Sequence, residues 1–252
     1  MTRHDFHDHF SDAANDYARF RVTYPPALFS HIASLCQQKR TCWDCATGSG
    51  QAALSWTSHF DQVIATDASQ QQLDHAVAHQ KIVYRSERAE KTTITSQSVD
   101  LVSVASALHW FDHDLFYTEA RRVLRPGGIV AVWSYDAHPV ISPEIDHIIH
   151  HHADHRLGPY WPAPFEHVRT KYRNLPFPFA ELSAPDLVAL VHWSFDELMG
   201  NLRTWSAVRP YVANRGEDPV SRIEPALRRL WGVPDRIRPC SWPLFFRIGR
   251  VG

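Results

Sequence analysis

No stretch of this 252-residue chain approaches the run of about 18 apolar residues that a membrane-spanning helix needs. Charge of one sign is lacking too. The 26 Lys and Arg nearly balance 27 Asp and Glu, which gives no reason to expect a polyanion such as nucleic acid as partner. Only four cysteines occur, Cys36, Cys42, Cys45 and Cys240, and three of them crowd within ten residues, so no disulfide framework suggests itself. Internal repeats and low-complexity tracts are missing. The opening MTRHDFHDHF is polar and histidine-rich, unlike a secretory leader. These absences point to a cytoplasmic globular protein with no membrane or nucleic-acid partner.

What is present is an ordinary globular balance, long enough for one large α/β domain with an insertion. Charge is uneven along the chain. Residues 201–252 carry ten Arg against four acids, whereas residues 136–200 carry nine acids against four Lys and Arg. The expectation is that the basic tail packs on the acidic middle or stays solvated.

Strands and helices alternate from residue 41. TCWDCA, QVIATD, KIVYR, SVDLVSVASA and GIVAVWSY read as strands. Between them lie QAALSWTSHF, ASQQQLDHAVAHQ with Ser69 as a candidate cap, and the amphipathic DHDLFYTEARRVLR, ended by Pro126-Gly127-Gly128. Parallel strands need crossover helices, so this alternation predicts a doubly wound, mostly parallel sheet with helices on both faces. Regularity stops at Tyr135. Residues 136–192 are rich in Pro, His and aromatics, with one helical piece around IDHIIHHHADH, and read as an insertion. Two further helices are expected in WSFDELMGNLRTWSAV and PVSRIEPALRRLWG. The end, RIRPCSWPLFFRIGR, reads as two short strands around a turn at the sheet edge.

The stretch TCWDCATGSGQAA carries the chemistry. Gly48-Ser49-Gly50-Gln51-Ala52-Ala53 fits G-x-G-x-x-A, where glycines admit a ligand to the backbone at a helix start. Asp67 follows after the next strand, placed to accept hydrogen bonds from ribose hydroxyls. A nicotinamide cofactor and other adenosine cofactors both fit that turn. Asp44 shifts the balance. A carboxylate there would repel a pyrophosphate and attract an ammonium or sulfonium.

WDCATGSG resembles motif I of the class I S-adenosylmethionine-dependent methyltransferases, written D-x-G-x-G-x-G, with Ala46 in place of the first glycine. VIATDASQQQL resembles their second motif. SVDLVSVASALHWFD and RRVLRPGGIVAVWSY resemble the fourth strand and the Pro-Gly-Gly turn into the fifth. YARFRVTYPPALF, ALHWFD, WSFDELMGNLRTWSAV and WPLFFRIGR are similar to the trans-aconitate methyltransferase-like (type 11) group, whose members methylate small molecules, some at carboxylate oxygens.

The resemblance implies a Rossmann-like seven-stranded sheet with an inserted lid. Residues 1–40 would form a helical cap, 41–135 the cofactor core, 136–210 the substrate lid and a helix, and 211–252 a helix and edge strands. It implies S-adenosylmethionine as cofactor, with Asp44 near the methionine amino end and Ala46, Gly48 and Gly50 admitting the backbone. Asp67 and Ala68 would lie at the ribose. Ala89 would lie at the adenine, although Arg88 stands where the group often has an acid, leaving backbone at Ala89 or Glu87 for that task. Ala105 would lie at the strand lip, and Tyr17 and Arg21 over the methionine carboxylate. His109 and Trp110 would border the transferred methyl, and His109 would serve as base if the acceptor needs one. Arg169 and Arg173 would meet an anionic substrate. Methylation at carbon, nitrogen or a phenolic oxygen, and cofactor binding without turnover, stay open as alternatives. So does the oligomeric state.

Two patterns invite a metal. Cys42-x-x-Cys45 lies in a predicted strand, where odd spacing sends the thiols to opposite faces. His147, His151 and His155 share a helix face that reads as solvated. No metal site is expected.

Overall fold

The computed structural model describes residues 22–233 and 235–252. The expected site residues Tyr17 and Arg21 lie outside the described residues. A helix, α1 (Pro26–Leu35), leads into the sheet. Then follow β1 (Thr41–Cys45), α2 (Gln51–Trp56), β2 (Gln62–Asp67), α3 (Gln70–Asp74), β3 (Ile82–Ser86), β4 (Val99–Ala105), α4 (His113–Val123) and β5 (Leu124–Tyr135). After them come α5 (Pro143–His151), α6 (Phe165–Arg169), β6 (Ala180–Leu182), β7 (Val188–Trp193), α7 (Phe195–Arg203), α8 (Val208–Arg215), α9 (Glu224–Trp231) and β8 (Arg238–Arg250).

The strand order is β3-β2-β1-β4-β5-β8-β6, with β7 also paired to β8. The first five strands are parallel, and β8 runs antiparallel to β5, β6 and β7. Successive residues of a strand point to opposite faces, and the cores follow that rule. Cys42, Val63, Leu101 and Ile129 enter one apolar cluster with α1, α2 and α7. Trp43, Ile64, Val102 and Val130 enter the other with α4. Covering on both faces explains why β4 reads as nearly continuous apolar sequence: six of its seven residues are buried. Cys42 and Cys45 fall in different clusters, as their odd spacing requires. All four cysteines are free and buried.

The polar exceptions hold the strand ends. At the amino edge Asp100 accepts from the N–H groups of Arg40 and Thr41 and pairs with Arg125 at 2.6 Å. At the carboxyl edge Asp44 lines a crevice, and Asp67 ends β2.

The structure corrects the reading of the sequence at three places. The helix after β2 is capped by Ser69 as expected, yet it ends at Asp74, and Val77 is 60% exposed rather than on an apolar stripe. The sheet has eight strands rather than seven, because residues 180–182 and 188–193 pair with β8. The C-terminal segment is one long strand inside the sheet, not two short ones at its edge. Its prolines suggested a turn. Ser241 exchanges both backbone hydrogen bonds with Val140, so Pro239 and Pro243 turn their missing N–H toward that side and leave the β7 ladder intact.

Candidate functional site

The crevice opens where β1 and β4 end and their chains part. It is lined by Tyr24, Asp44, Ala46, Thr47, Gln51, Ala52 and Ala105. Asp44 is 1% exposed. Its two oxygens accept from the Thr47 and Ser103 hydroxyls, each at 2.6 Å. Burial pushes its carboxyl up to about 6 even though those hydrogen bonds favour the anion. Gln51 Oε1 beside it is buried without a hydrogen-bond partner among the described residues.

The loop after β1 uses left-handed backbone three times, at Ala46 (φ 53°), Gly48 (φ 56°) and Gly50 (φ 83°). Ala46 therefore adopts the conformation that suits the glycine it replaces, at a cost of about 1–2 kcal/mol. At Gly50 a Cβ would meet the Tyr84 hydroxyl and ring, so the absence of a side chain is needed twice over. Tyr84 is held there by donating to the Val77 carbonyl at 3.0 Å. Asp67 ties this loop to β2: it accepts from Gly48 N–H at 2.8 Å and from Ser69 N–H at 2.9 Å. Ala68, between them, is half-buried.

The opposite lip is made by the ends of β4 and β5. Ala105 lines the crevice, and Ser106 turns away from it in left-handed backbone (φ 54°). Ser106 Oγ bonds Tyr24 Oη at 2.9 Å and Ser134 Oγ at 3.0 Å. A short 3₁₀ turn, Leu108–Trp110, buries Leu108 and carries His109 and Trp110, both half-buried. His109 Nδ1 bonds the Tyr172 hydroxyl at 2.9 Å. Burial first, then the neighbouring His167 and His113, lowers His109 to about 3, so it is neutral at physiological pH. Tyr172 is fully buried, and desolvation raises its phenol above the ordinary range.

Other expected residues lie apart from the crevice lining. Ala89 is buried in the β3–β4 connection. Next to it Arg88 bonds Glu90 at 3.2 Å, and Glu87 is engaged by the N–H and hydroxyl of Thr93. Arg169 pairs with Asp154 at 2.9 Å, and Arg173 is exposed. Lys171 pairs with Asp136 at 2.9 Å. Around them Trp161 stacks on Phe165 with centroids 4.0 Å apart, and Trp205 lies 5.6 Å from Trp161. Arg203 bonds Asp218 and Glu224. Among the described residues no group of His, Cys, Asp or Glu is arranged to hold a metal ion. The rings of His147, His151 and His155 follow one another along one face.

Sequence reasoning missed Thr47, Gln51, Ser103, Ser106, Ser134, Tyr24 and Tyr172. One signal was available: Ser103 interrupts the apolar run of residues 101–105 in a buried strand, and a buried polar side chain needs a partner.

Residues 43–132 match the family described as Methyltransferase domain. A solved structure from Anaeromyxobacter dehalogenans, named "Putative Type II Methyltransferase", superposes with a TM-score of 0.86 at 40% identity, over 91% of this chain and 97% of that one. The chain belongs to the class I S-adenosylmethionine-dependent methyltransferases. A Dictyostelium discoideum protein named as a methyltransferase is 29% identical to this enzyme over 97% of this chain and 95% of its own. A Mycobacterium bovis methyltransferase is 32% identical, with 53% of this chain and 55% of that one covered.

The cofactor of this methyltransferase is S-adenosylmethionine. The residues present fit it. Asp44 offers a buried carboxylate, Gln51 an unpartnered amide oxygen, and the Ala46–Gly50 loop bare backbone in one crevice. Among the described residues no helix is long and apolar enough to cross a membrane.

Proposed function

We propose that this methyltransferase transfers the methyl group to an oxygen of a small-molecule acceptor held at the β4–β5 lip. The observation that carries the reading is that the crevice sets the Asp44 carboxylate at β1 across from uncharged Ala105 at the end of β4, from which the chain runs on to a neutral His109 and to Trp110.

In this reading Asp44 and Gln51 Oε1 face the methionine ammonium. Backbone at Ala46, Gly48 and Gly50 lies against the cofactor. Asp67 keeps the loop in place and accepts from the ribose hydroxyls. Ala68 lies at the ribose and Ala89 at the adenine. When bound, S-adenosylmethionine supplies a methyl group already activated on sulfonium. The chain's share is alignment and exclusion of water, and alignment alone contributes about 7–11 kcal/mol. His109 and Trp110 border the acceptor. Trp161, Phe165 and Trp205 form the aromatic part of a lid, with Arg169 and Arg173 at its rim.

A carboxylate oxygen is the acceptor that the trans-aconitate resemblance supports, and it needs no base. A hydroxyl oxygen is supported by the uncharged lip. The test is to incubate the enzyme with methyl-labelled cofactor and a small-molecule extract. The expected result is label on a low-mass product. Label found only on protein or nucleic acid overturns the reading.

A further inference from the structure

The strand β7 reads VALVHW and alternates between open and buried positions. Val188 (44% exposed) and Leu190 (53%) stand on the open face with His192, while Ala189 and Trp193 enter the core. Backbone direction alternates in the same step. Ser241 of β8 exchanges its hydrogen bonds with Val140, so its neighbours Cys240 and Trp242 turn theirs to β7, opposite Val191 and Ala189. Leu244 continues that side by donating to the Leu187 carbonyl at 2.9 Å. Val188, Leu190 and His192 therefore turn both N–H and C=O away from β8. Among the described residues no strand or bridge pairs with that outward side. Directly paired residues share a face, so Val140 (47% exposed), Ser241 and Leu190 form one row across the open face, and Pro243 and Val188 a second.

Such an edge is a template for another strand, and chains that stay single guard it with Lys, Pro, a bulge or an inward charge. Val188–Trp193 holds no Lys or Pro, and its pairing with β8 has no bulge. We propose that β7 pairs antiparallel with β7 of a second copy about a two-fold axis at Ala189, so that one sheet runs through a dimer. The pairing is independent of which acceptor is methylated.

Outward backbone groups must meet outward groups, so even-numbered residues of one copy face even-numbered residues of the other. An axis at Ala189 sets Val188 opposite the second copy's Leu190 and Asp186 opposite its His192, each pair twice by symmetry. Asp186 is exposed and lies two residues ahead of Val188. Apolar then meets apolar, and a carboxylate meets an imidazole that donates to it. An axis at Leu190 would instead set Val188 against His192 and Asp186 against Ser194, losing both matches.

The rows on the open face also join. Val140, Ser241 and Leu190 of one copy run on into Val188 and Pro243 of the other, and the symmetry-related row lies beside them. Exposed apolar side chains gain cross-strand neighbours, and outward N–H and C=O groups exchange water for each other. A strand of another protein could use the same backbone groups. The match of Asp186 with His192 within one sequence assigns the edge to a second copy. β5 and β8 separate β7 from β1 and β4, whose ends form the crevice, so the dimer leaves the crevice residues in place.

The oligomeric state of the full chain tests this. Sedimentation velocity over roughly 1–200 µM protein should show a concentration-dependent species of twice the chain's mass. A single chain mass throughout overturns the proposal and leaves the edge to a strand of another protein. Leu190→Lys puts a charge at the centre of the pairing and should weaken association about tenfold or more. An unchanged dimer in Leu190→Lys uses another surface and overturns the proposal. His192→Asp brings carboxylates face to face and should also weaken association about tenfold. Asp186→His/His192→Asp restores each pair with its members exchanged, and its dissociation constant should return to within about twofold of wild type. A double variant as weak as His192→Asp overturns the pairing. All three variants should melt cooperatively and bind S-adenosylhomocysteine as the wild type does, which separates loss of association from loss of fold.

Discussion

At the β1–β2 lip two carboxylates, Asp44 and Asp67, collect hydrogen bonds from hydroxyls and loop N–H groups. At the β4–β5 lip hydroxyls bond to one another and to a histidine held neutral by burial. Burial acts on the titratable groups of the two lips with opposite sign. It raises Asp44 toward its neutral form and holds His109 in its neutral form. The protein without cofactor thus bears a strained acid on one side and a reluctant base on the other. A cationic ligand end relieves the first and asks nothing of the second.

The comparison breaks most visibly at Asp44. Replacing it with Ala strands the Thr47 and Ser103 hydroxyls and removes the charge. Affinity for S-adenosylhomocysteine should fall 100-fold or more, about 3 kcal/mol, by calorimetric titration. Retained affinity would mean that the carboxylate side does not select the cofactor. Gly50→Ala comes next. The left-handed backbone and the clash with Tyr84 should together cost about 1–3 kcal/mol, seen as a melting temperature several degrees lower. In Gly50→Ala/Tyr84→Ala the steric part should return and the backbone part remain.

Acid titration sharpens the contrast. Asp44 has a folded value near 6, above its unfolded value of 3.8, so the free protein carries a penalty that grows as pH rises from 3.8 through 6. His109 has a folded value near 3, below its unfolded 6.5, so its contribution is present above 6.5 and is lost as pH falls toward 3. Between pH 6 and 4 the two slopes oppose, each at most about 1.4 kcal/mol per pH unit. In urea unfolding, Asp44→Asn should lose stability on acidification more steeply than wild type, and His109→Gln less steeply. Parallel curves for all three would remove the asymmetry. The smallest effect is expected at Ser69, whose hydroxyl accepts from Gln72 N at 3.4 Å. Ser69→Ala should cost about 0.5–1 kcal/mol in the same assay.

The two lips also differ in how far they could be read from the chain. Asp44, Gly48, Gly50 and Asp67 lie close in sequence, because one strand–turn–helix–strand unit builds their lip. The special backbone there is signalled by glycine. The β4–β5 lip joins residues as far apart as Tyr24, Ser106 and Tyr172, and its left-handed positions are filled by Ser and Tyr, which carry no such signal. The same contrast holds for the fold. The five parallel strands announced themselves by apolar runs between helical stretches. β6 and β7 did not, because they are short, partly exposed and defined only by pairing with β8.

Local order of residues therefore determined the parallel core, the glycine loop and the carboxylate side of the crevice, where each position is constrained by its near neighbours. Tertiary structure decided the neutral side, the eighth strand and the unbroken course of β8 through two prolines. Those features depend on partners brought together from distant parts of the chain, and a hydrogen bond between such residues leaves no periodic trace in the sequence that makes it.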